Sequence, residues 1–156
     1  MRLVSLTLLL SLAACMTPDS RAAGVVVSPS DGSQARWTDD EKNSDVVMRN
    51  LRHTSEASFH LLRVRTELTR RKHAKADLVL VVVAGQIEVQ LGDRAIPSAP
   101  GDVIEVPRDV PYAVLNKGRD AGVLYLVYTP ALDPNDVRMV TDKTGESSWK
   151  WNLWAQ

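Results

Sequence analysis

The chain has one cysteine, no net charge and no internal repeat, and each of these absences excludes a class of protein. Because Cys15 is the only cysteine, neither a disulfide framework nor a CxxC pair can be built within the chain. The 19 basic residues balance the 19 acidic ones, so no bulk field attracts nucleic acid. A glycine-rich phosphate loop is also missing. What remains is a length of 156 residues, which fits one domain around a single core.

The first 14 residues are typical of a targeting segment. Arg2 supplies a minimal positive region, and the apolar stretch after it is too short to remain as a bilayer-spanning anchor. The stretch ends in the sequence LAAC at residues 12–15, which resembles the lipobox of bacterial lipoproteins. In that family the cysteine becomes the first mature residue and is acylated. An ordinary signal peptide is the alternative, but a lone thiol at Cys15 in an exported chain favours acylation.

The lipobox resemblance implies a protein of the bacterial cell envelope that is anchored to the membrane by lipid. Met16 stands where an Asp would favour inner-membrane retention in enteric bacteria, so we expect the outer membrane, with the domain facing the periplasm. Residues 15–36 carry scattered Pro, Gly, Ser and Thr and are predicted to be a lipidated tether. Three valines at 25–27 could add an edge strand within it.

Residues 37–56 are predicted to form an N-terminal helix. Residues 38–41 (Thr-Asp-Asp-Glu) have the spacing of a capping box, with acidic side chains in the first turn. Val47, Met48 and Leu51 then give one apolar stripe, and basic side chains suit the C-terminal end, namely Arg49, Arg52 and His53. We expect this helix to lie against the outside of the main domain.

Residues 57–130 have the pattern of antiparallel β-structure. Short runs rich in Val and Ile are separated by Gly-Gln, Gly-Asp and Pro-Gly-Asp. Ile87, Val89 and Leu91 alternate with polar residues, which predicts a strand with one buried face. Gly92 and Asp93 are predicted to form a hairpin turn.

Further strands are predicted on both sides of that hairpin. A strand over residues 57–68 needs a bulge near Leu61, because its apolar residues change parity there. Residues 76–84 are almost continuously apolar, which predicts a strand buried on both faces. The remaining predicted strands cover residues 103–106, 113–115 and 123–129.

Five positions between residues 101 and 116 resemble the second cupin motif. That motif is Gly, five residues, Pro, one residue, usually Gly, two residues, His, three residues and Asn. Gly101, Pro107 and Asn116 match it, Asp109 replaces the second Gly, and Tyr112 replaces the metal-binding His. The resemblance implies an all-β fold of the cupin type, a double-stranded β-helix or jelly-roll barrel, preceded by the short N-terminal helix.

The first cupin motif, His-x-His, three or four residues, Glu, six residues and Gly, is matched less closely. The chain offers Arg71, His73, Asp77 and Gly85, with seven residues before the glycine. Cupin metal sites usually have three His and one Glu, and only one of those four ligands is present here. Since a guanidinium repels a divalent cation and a neutral phenol binds one poorly, we predict no metal and no other cofactor.

The candidate ligand-binding residues are Arg71, His73, Asp77 and Tyr112. The first three share strand parity, so on a regular strand they point to one side. The resemblance implies that this side is the barrel interior and that Tyr112 faces them. Structural alternatives stay open. Arg71 could face solvent in its basic run, Asp77 could pair with that run at the barrel mouth, and His73 could be a hydrogen-bonded structural residue.

Two classes of function are compatible with this site. The first is a protein that binds a small anionic molecule, such as a carboxylate or an acidic sugar, on Arg71 with Tyr112 and His73 assisting. The second is a metal-free epimerase or isomerase with His73 and Asp77 as base and Tyr112 as acid. This set resembles that of certain sugar-nucleotide epimerases of the cupin superfamily. A metal-dependent dioxygenase would need His60 or His53 to complete a different site, and a purely structural envelope protein is the plainest alternative.

Residues 131–156 are predicted to be a C-terminal tail packed outside the barrel. Tryptophans stand near its end, at positions 149, 151 and 154. Such residues more often cover a barrel edge or a dimer contact than form a carbohydrate platform, so a homodimer is possible.

Overall fold

The computed structural model describes residues 36–141 and 146–147 and consists almost entirely of antiparallel β-strands. The strands in chain order are β1 (Val46–His53), β2 (Ser58–Val64), β3 (Glu67–His73), β4 (Asp77–Ala84), β5 (Ile87–Leu91), β6 (Arg94–Ser98), β7 (Val103–Val106), β8 (Tyr112–Asn116), β9 (Gly122–Thr129), β10 (Val137–Val140) and β11 (Glu146–Ser147). One sheet has the order β1-β2-β9-β4-β7, and the other has the order β11-β10-β3-β8-β5-β6. This confirms the predicted all-β barrel of two sheets.

The inward side chains of both sheets form one apolar core. Every second residue of the central strands points into it, as the strand period of two requires. The core is made mainly of Leu62, Val64, Leu78, Leu80, Val82, Val89, Val114, Leu124 and Leu126. A smaller cluster lies on the outer face of the first sheet, where Trp37 covers Leu61, Val83 and Val123.

The N-terminal helix is much shorter than predicted. It covers Asp39–Asn43 (α1), with Thr38 as N-cap and Glu41 completing the predicted capping box. The predicted continuation to residue 56 is wrong, because residues 46–53 form β1 and pair with β2. Pairing with a strand of the barrel satisfies that backbone and lets Val46 and Met48 pack on the core, which outweighs a weak helical stripe.

Helix α1 is fastened to the sheet by one arginine of β1. Nε of Arg49 donates to Oε1 of Glu41 at 2.7 Å, and its guanidinium lies 4.3 Å from the ring centroid of Trp37. The predicted helical residue Arg49 is thus a strand residue that holds the helix against the outer face.

The single strand predicted over residues 57–68 is two strands, β2 and β3. The register of β2 on β9 runs without interruption, so the predicted bulge near Leu61 is wrong. Leu61 faces the outer cluster while Leu62 faces the core. The irregularity lies instead in β3, between Leu68 and Arg71, where the pairing with β8 shifts.

Strand β4 and the β5–β6 hairpin follow the sequence pattern in part. Burial along β4 alternates, so the prediction of a strand buried on both faces is wrong except near Val83, where the outer cluster covers it. The Gly92–Asp93 turn is confirmed by the pairing of Leu91 with Arg94, and Gly92 has a φ of 56°.

Several predictions fall on residues outside those that the structure describes. These are the signal peptide, Cys15 and the tether, the valines at 25–27, and the tryptophans near the C-terminus. Within the described ranges, no helix has the length and apolarity needed to cross a bilayer. Strands β1 and β10 lie beyond residues 57–130 and extend the two sheets.

Candidate functional site

Arg71 and His73 lie at the end of β3 and are turned into the barrel by the irregularity before them. Because the pairing shifts between Leu68 and Arg71, the inward parity changes, and both Leu68 and Arg71 are buried. Arg71 is 7% exposed and His73 is 3% exposed. The structure therefore places both residues away from solvent.

Tyr112 begins β8 and stands opposite Arg71 in the pairing of the two strands. Its side chain is completely buried, and its hydroxyl lies 3.1 Å from Nε2 of His73. The two rings, whose centroids are 5.8 Å apart, are tilted by 30°. Three of the four predicted residues, Arg71, His73 and Tyr112, are thus brought together.

Tyr128 of β9 extends this group and was not among the predicted site residues. Its hydroxyl shares a hydrogen bond with that of Tyr112. The ring of His73 meets the ring of Tyr128 edge-on, with centroids 5.0 Å apart. The result is a hydrogen-bonded series in which Tyr112 stands between His73 and Tyr128. Strand parity in β9 was the one available signal, because Leu124, Leu126 and Tyr128 share the inward face.

Burial keeps the imidazole and the phenols of this group uncharged near neutral pH. It lowers the pKa of His73 to about 4, which the charge of Asp136 partly offsets and the charge of Arg71 reinforces. Burial also raises the pKa of Tyr112 and raises that of Tyr128 well above the usual value, while Arg71 acts in the opposite direction on both. The group therefore combines one fixed cation with neutral donors and acceptors.

One atom of the group has no hydrogen-bond partner among the residues that the structure describes. Nδ1 of His73 is buried and unpaired, while Nε2 of the same ring is used by Tyr112. An orphaned buried polar atom carries a free-energy cost, which a ligand or water would remove. Arg71, by contrast, donates from Nε to the carbonyl of Thr69 at 2.8 Å and has further interactions.

Asp77 does not join the group, and the prediction that it shares the interior with His73 is wrong. The parity argument requires one continuous strand, but β3 ends at His73 and β4 begins at Asp77. The side chain of Asp77 is 38% exposed and accepts a hydrogen bond from the backbone N–H of Arg108 at 2.9 Å. The guanidinium of Arg108 holds the pKa of Asp77 at about 2. The cation that pairs with Asp77 is thus Arg108, and not a member of the basic run of residues 70–72.

A second histidine lies next to the group. His60 of β2 packs edge-on against Tyr128, with ring centroids 5.5 Å apart. Its Nε2 lies 2.9 Å from Oγ of Ser58, which also accepts the backbone N–H of Leu132 at 2.9 Å. Desolvation lowers the pKa of His60 to about 4. Nothing in the sequence pattern linked Ser58 to Leu132, since 74 residues separate them.

The residues present do not fit the metal that the fold family usually binds. Where a cupin has imidazoles, this chain has the guanidinium of Arg71 and a phenol bonded to His73. The acid of the first motif, Asp77, is engaged outside by Arg108. Across residues 36–141, no three His, Cys, Asp or Glu side chains are grouped so that they could hold a metal ion. The donor set therefore favours chemistry that runs without one.

A surface pocket of about 340 Å³ lies elsewhere, beside the start of β5 and the end of β6. Its lining includes Glu88 and Lys117, which form an ion pair at 3.3 Å, and Ser98. None of the four predicted site residues contributes to it.

Comparison with known proteins supports the cupin superfamily. Residues 58–128 match the family model described as the cupin domain. Comparison with curated proteins found no significant match. Together with the two-sheet barrel, the domain match supports this superfamily and the cupin fold.

Solved structures with the same fold are distant in sequence. The Streptomyces nucleoside dehydratase Pac13 is 19% identical with a TM-score of 0.56, over 62% of this chain and 78% of that one. KdgF from Halomonas sp. is 21% identical with a TM-score of 0.55, over 65% and 91%. A Klebsiella pneumoniae protein of unknown role with a double-stranded β-helix domain is 14% identical with a TM-score of 0.57, over 69% and 90%. Further similar structures are Pac13 variants with uridine, each with one Tyr or His replaced.

Proposed function

We propose that this cupin-fold chain is an envelope lipoprotein that binds a small anionic molecule inside the barrel, without a resident metal. The observation that supports this most directly is the buried guanidinium of Arg71 next to the hydrogen-bonded pair of His73 and Tyr112. The polar side chains thus lie inside the barrel, whereas the surface pocket contains none of them.

The chemistry of the three side chains favours an anion over a cation or a neutral apolar molecule. A guanidinium binds a carboxylate or phosphate by two parallel, charge-assisted hydrogen bonds. These bonds are stronger in a low-dielectric interior than in water. Tyr112 can donate from its hydroxyl, and Nδ1 of His73 is open to one polar group of the ligand.

Binding requires the end of the barrel to open, because the three side chains are almost inaccessible. Leu132 belongs to the same apolar core as Tyr112, and its backbone N–H is bonded to Ser58, whose hydroxyl also contacts His60. Displacing Leu132 is therefore the step that we expect to admit a ligand. Segments that close over a site and exclude water commonly open on the microsecond to millisecond timescale.

Metal-free acid–base catalysis is the second candidate, and the hydrogen bond between His73 and Tyr112 is the observation that favours it. A neutral imidazole can take a proton from a substrate, and a protonated phenol can supply one. Pac13, a nucleoside dehydratase, has been captured with uridine in variants that replace a His or a Tyr. In this chain the base would be His73 without Asp77, since the carboxylate of Asp77 is bonded to Arg108.

A thermal-shift screen tests the binding proposal. Carboxylates, sugar acids, phosphates and nucleosides are added singly to the purified chain lacking residues 1–14. A compound at a hundred times its Kd stabilises a one-site protein by about 2.7 kcal/mol, which is readily detected. We expect acidic compounds among the stabilising ones, and we expect Arg71→Ala to abolish their effect.

The neighbouring arginine provides the matched control. Arg70 lies on the other side of β3 and donates to the carbonyl of Gly92 at 2.9 Å, outside the barrel. Arg70→Ala should keep the stabilisation by acidic compounds. If Arg71→Ala and Arg70→Ala respond alike, or if no acidic compound binds, the proposal fails. Conversion of a bound compound by the unmodified chain, lost in Tyr112→Phe, would establish the enzymatic alternative.

The lipid anchor is proposed from residues 12–15 and concerns where this binding occurs. Cys15 would hold the barrel at the outer membrane, facing the periplasm, through a tether of about twenty residues. A binding domain in that position samples small molecules that have crossed the outer membrane.

A further inference from the structure

Asp136 is a buried carboxylate bonded to the turn that follows His73. It closes the short 3-10 helix Pro134–Asp136 and is 2% exposed. Its Oδ1 accepts the backbone N–H of Ala74 at 3.1 Å, and its Oδ2 accepts the N–H of Lys75 at 2.9 Å. These are the two residues that follow His73, so the carboxylate fixes the turn at which β3 ends.

The next residue of the chain strengthens this link. Val137 begins β10 and is the direct partner of His73 in the β3–β10 pairing. On the opposite side, the carbonyl of His73 accepts the backbone N–H of Asp109 at 2.7 Å. The main chain around His73 is therefore held by two segments that are distant in sequence, and Asp136 contributes the only charged side chain to these particular bonds.

Two N–H groups of the turn converge on this side chain, and the carboxylate offers one oxygen to each, whereas Asn or Ser offers a single acceptor oxygen. The two bonds offset part of the several kcal/mol cost of burying the charge. A buried carboxylate adds a negative potential close to the imidazole. The charged and titratable groups that act on His73 are Arg71 on its own strand, Tyr112 of β8, Tyr128 of β9 and Asp136. Among these, Asp136 is the one acid.

We propose that Asp136 is the positioning residue of the His73–Tyr112 pair. It sets the place of the imidazole through the turn that it bonds, and it offsets the field of Arg71 at the ring. The positioning role of Asp136 rests on the proposed function in one respect, namely that His73 and Tyr112 are where a ligand would bind. In agreement with it, the charge of Asp136 raises the pKa of His73 while burial and Arg71 lower it.

The test is the titration of the His73 imidazole, followed by ¹⁵N NMR on the unmodified domain and on Asp136→Asn. We expect the midpoint to fall by about one pH unit or more in Asp136→Asn, as loss of a nearby opposite charge requires. The amides of Ala74 and Lys75 should also exchange faster with solvent. Asp133→Asn is the control, because Asp133 caps the same helix and pairs with Lys75, but on the surface.

Two further measurements keep the proposal open to refutation if Asp136→Asn does not fold. Asp136→Ser retains one short acceptor without the charge and should lower the midpoint in the same way. In the unmodified domain, the amides of Ala74 and Lys75 should be protected from hydrogen exchange, because both are bonded to the carboxylate of Asp136. An unchanged His73 midpoint in a folded neutral variant, or unprotected amides of Ala74 and Lys75 in the unmodified domain, overturns the proposal. Neither measurement uses a ligand, so failure of the binding screen leaves this result untouched.

Discussion

Nε2 of His73 lies 3.1 Å from the hydroxyl of Tyr112, although 39 residues separate them in the chain. The contact joins the end of β3 to the start of β8, inside the barrel. Tyr112 is also bonded to Tyr128, so the three side chains form one hydrogen-bonded series. At its other end, Nδ1 of His73 is buried and has no hydrogen-bond partner among the described residues.

The first prediction concerns the pH dependence of stability. His73 has a pKa of about 4 when folded and 6.5 as the ordinary value, so between these pH values the unfolded chain binds the proton more readily. The free energy of unfolding should therefore rise as pH increases from 4 to 6.5 and level off above. The gain is about 3 kcal/mol for His73, at about 1.4 kcal/mol per pKa unit. Urea unfolding across this range measures it.

A non-titrating replacement separates this effect from that of the acids. His73→Gln should show a smaller slope between pH 4 and 6.5 than the unmodified chain, whatever its absolute stability. His60→Gln should reduce the slope as well, since the pKa of His60 is also lowered to about 4. Equal slopes in all three proteins would contradict the assignment of buried neutral imidazoles.

The second prediction is that the chain holds no stoichiometric metal. Elemental analysis of protein purified without a nickel column should find far less than one Mn, Fe, Ni, Cu or Zn per chain. The combined Arg71→His and Tyr112→His variant should take up more metal, because it replaces a cation and a phenol by imidazoles. Stoichiometric metal in the unmodified protein, lost on His73→Gln, would move the function toward a metal-dependent dioxygenase or isomerase.

The third prediction concerns Asp109, which has a φ of 62° in the loop that leads to Tyr112. Asp tolerates this left-handed conformation better than most residues, and glycine adopts it without strain. Asp109→Gly should leave the free energy of unfolding nearly unchanged. Asp109→Ala should lower it by about 1 kcal/mol. The Gly and Ala variants are controls for each other. If the Ala variant were more stable than the Gly variant, the backbone at residue 109 would not be strained.

The fourth prediction concerns Ser58, whose hydroxyl lies between His60 and the backbone N–H of Leu132. Ser58→Ala leaves two buried polar groups without that partner, so the free energy of unfolding should fall by about 1–3 kcal/mol. The amide of Leu132 should exchange faster in hydrogen-exchange measurements. Ser98→Ala is the comparison, because that hydroxyl makes one local bond to the carbonyl of Ile96. Equal protection of Leu132 in both variants would disprove the proposed closure.

The fifth prediction is that Cys15 is acylated. Cys15→Ser should abolish fatty-acid labelling and move the protein from the membrane fraction to the soluble fraction, because the thioether-linked anchor cannot form. Conservative changes in the tether, such as Ser20→Ala, should leave both unchanged. Membrane partitioning that is the same in Cys15→Ser and in the unmodified chain would refute the lipoprotein proposal.

Most strands between residues 57 and 130, and three candidate residues that the structure brings together, could be predicted because their signals are local. Alternation in Ile87, Val89 and Leu91 reports one buried face, and the Gly92–Asp93 turn sets the register of the hairpin. The spacing from Gly101 to Asn116 identified Tyr112 by its motif position. These features depend on neighbours within a few residues, so the sequence determined them.

Only the tertiary structure decided which side chains meet. Residues 46–53 form a strand because their backbone pairs with β2, and no local sequence pattern indicates that pairing. Asp77 was placed wrongly because parity cannot be counted across the turn between β3 and β4. Asp136 was missed because a buried carboxylate is stable only where distant N–H groups converge on it, and those of Ala74 and Lys75 are about sixty residues away.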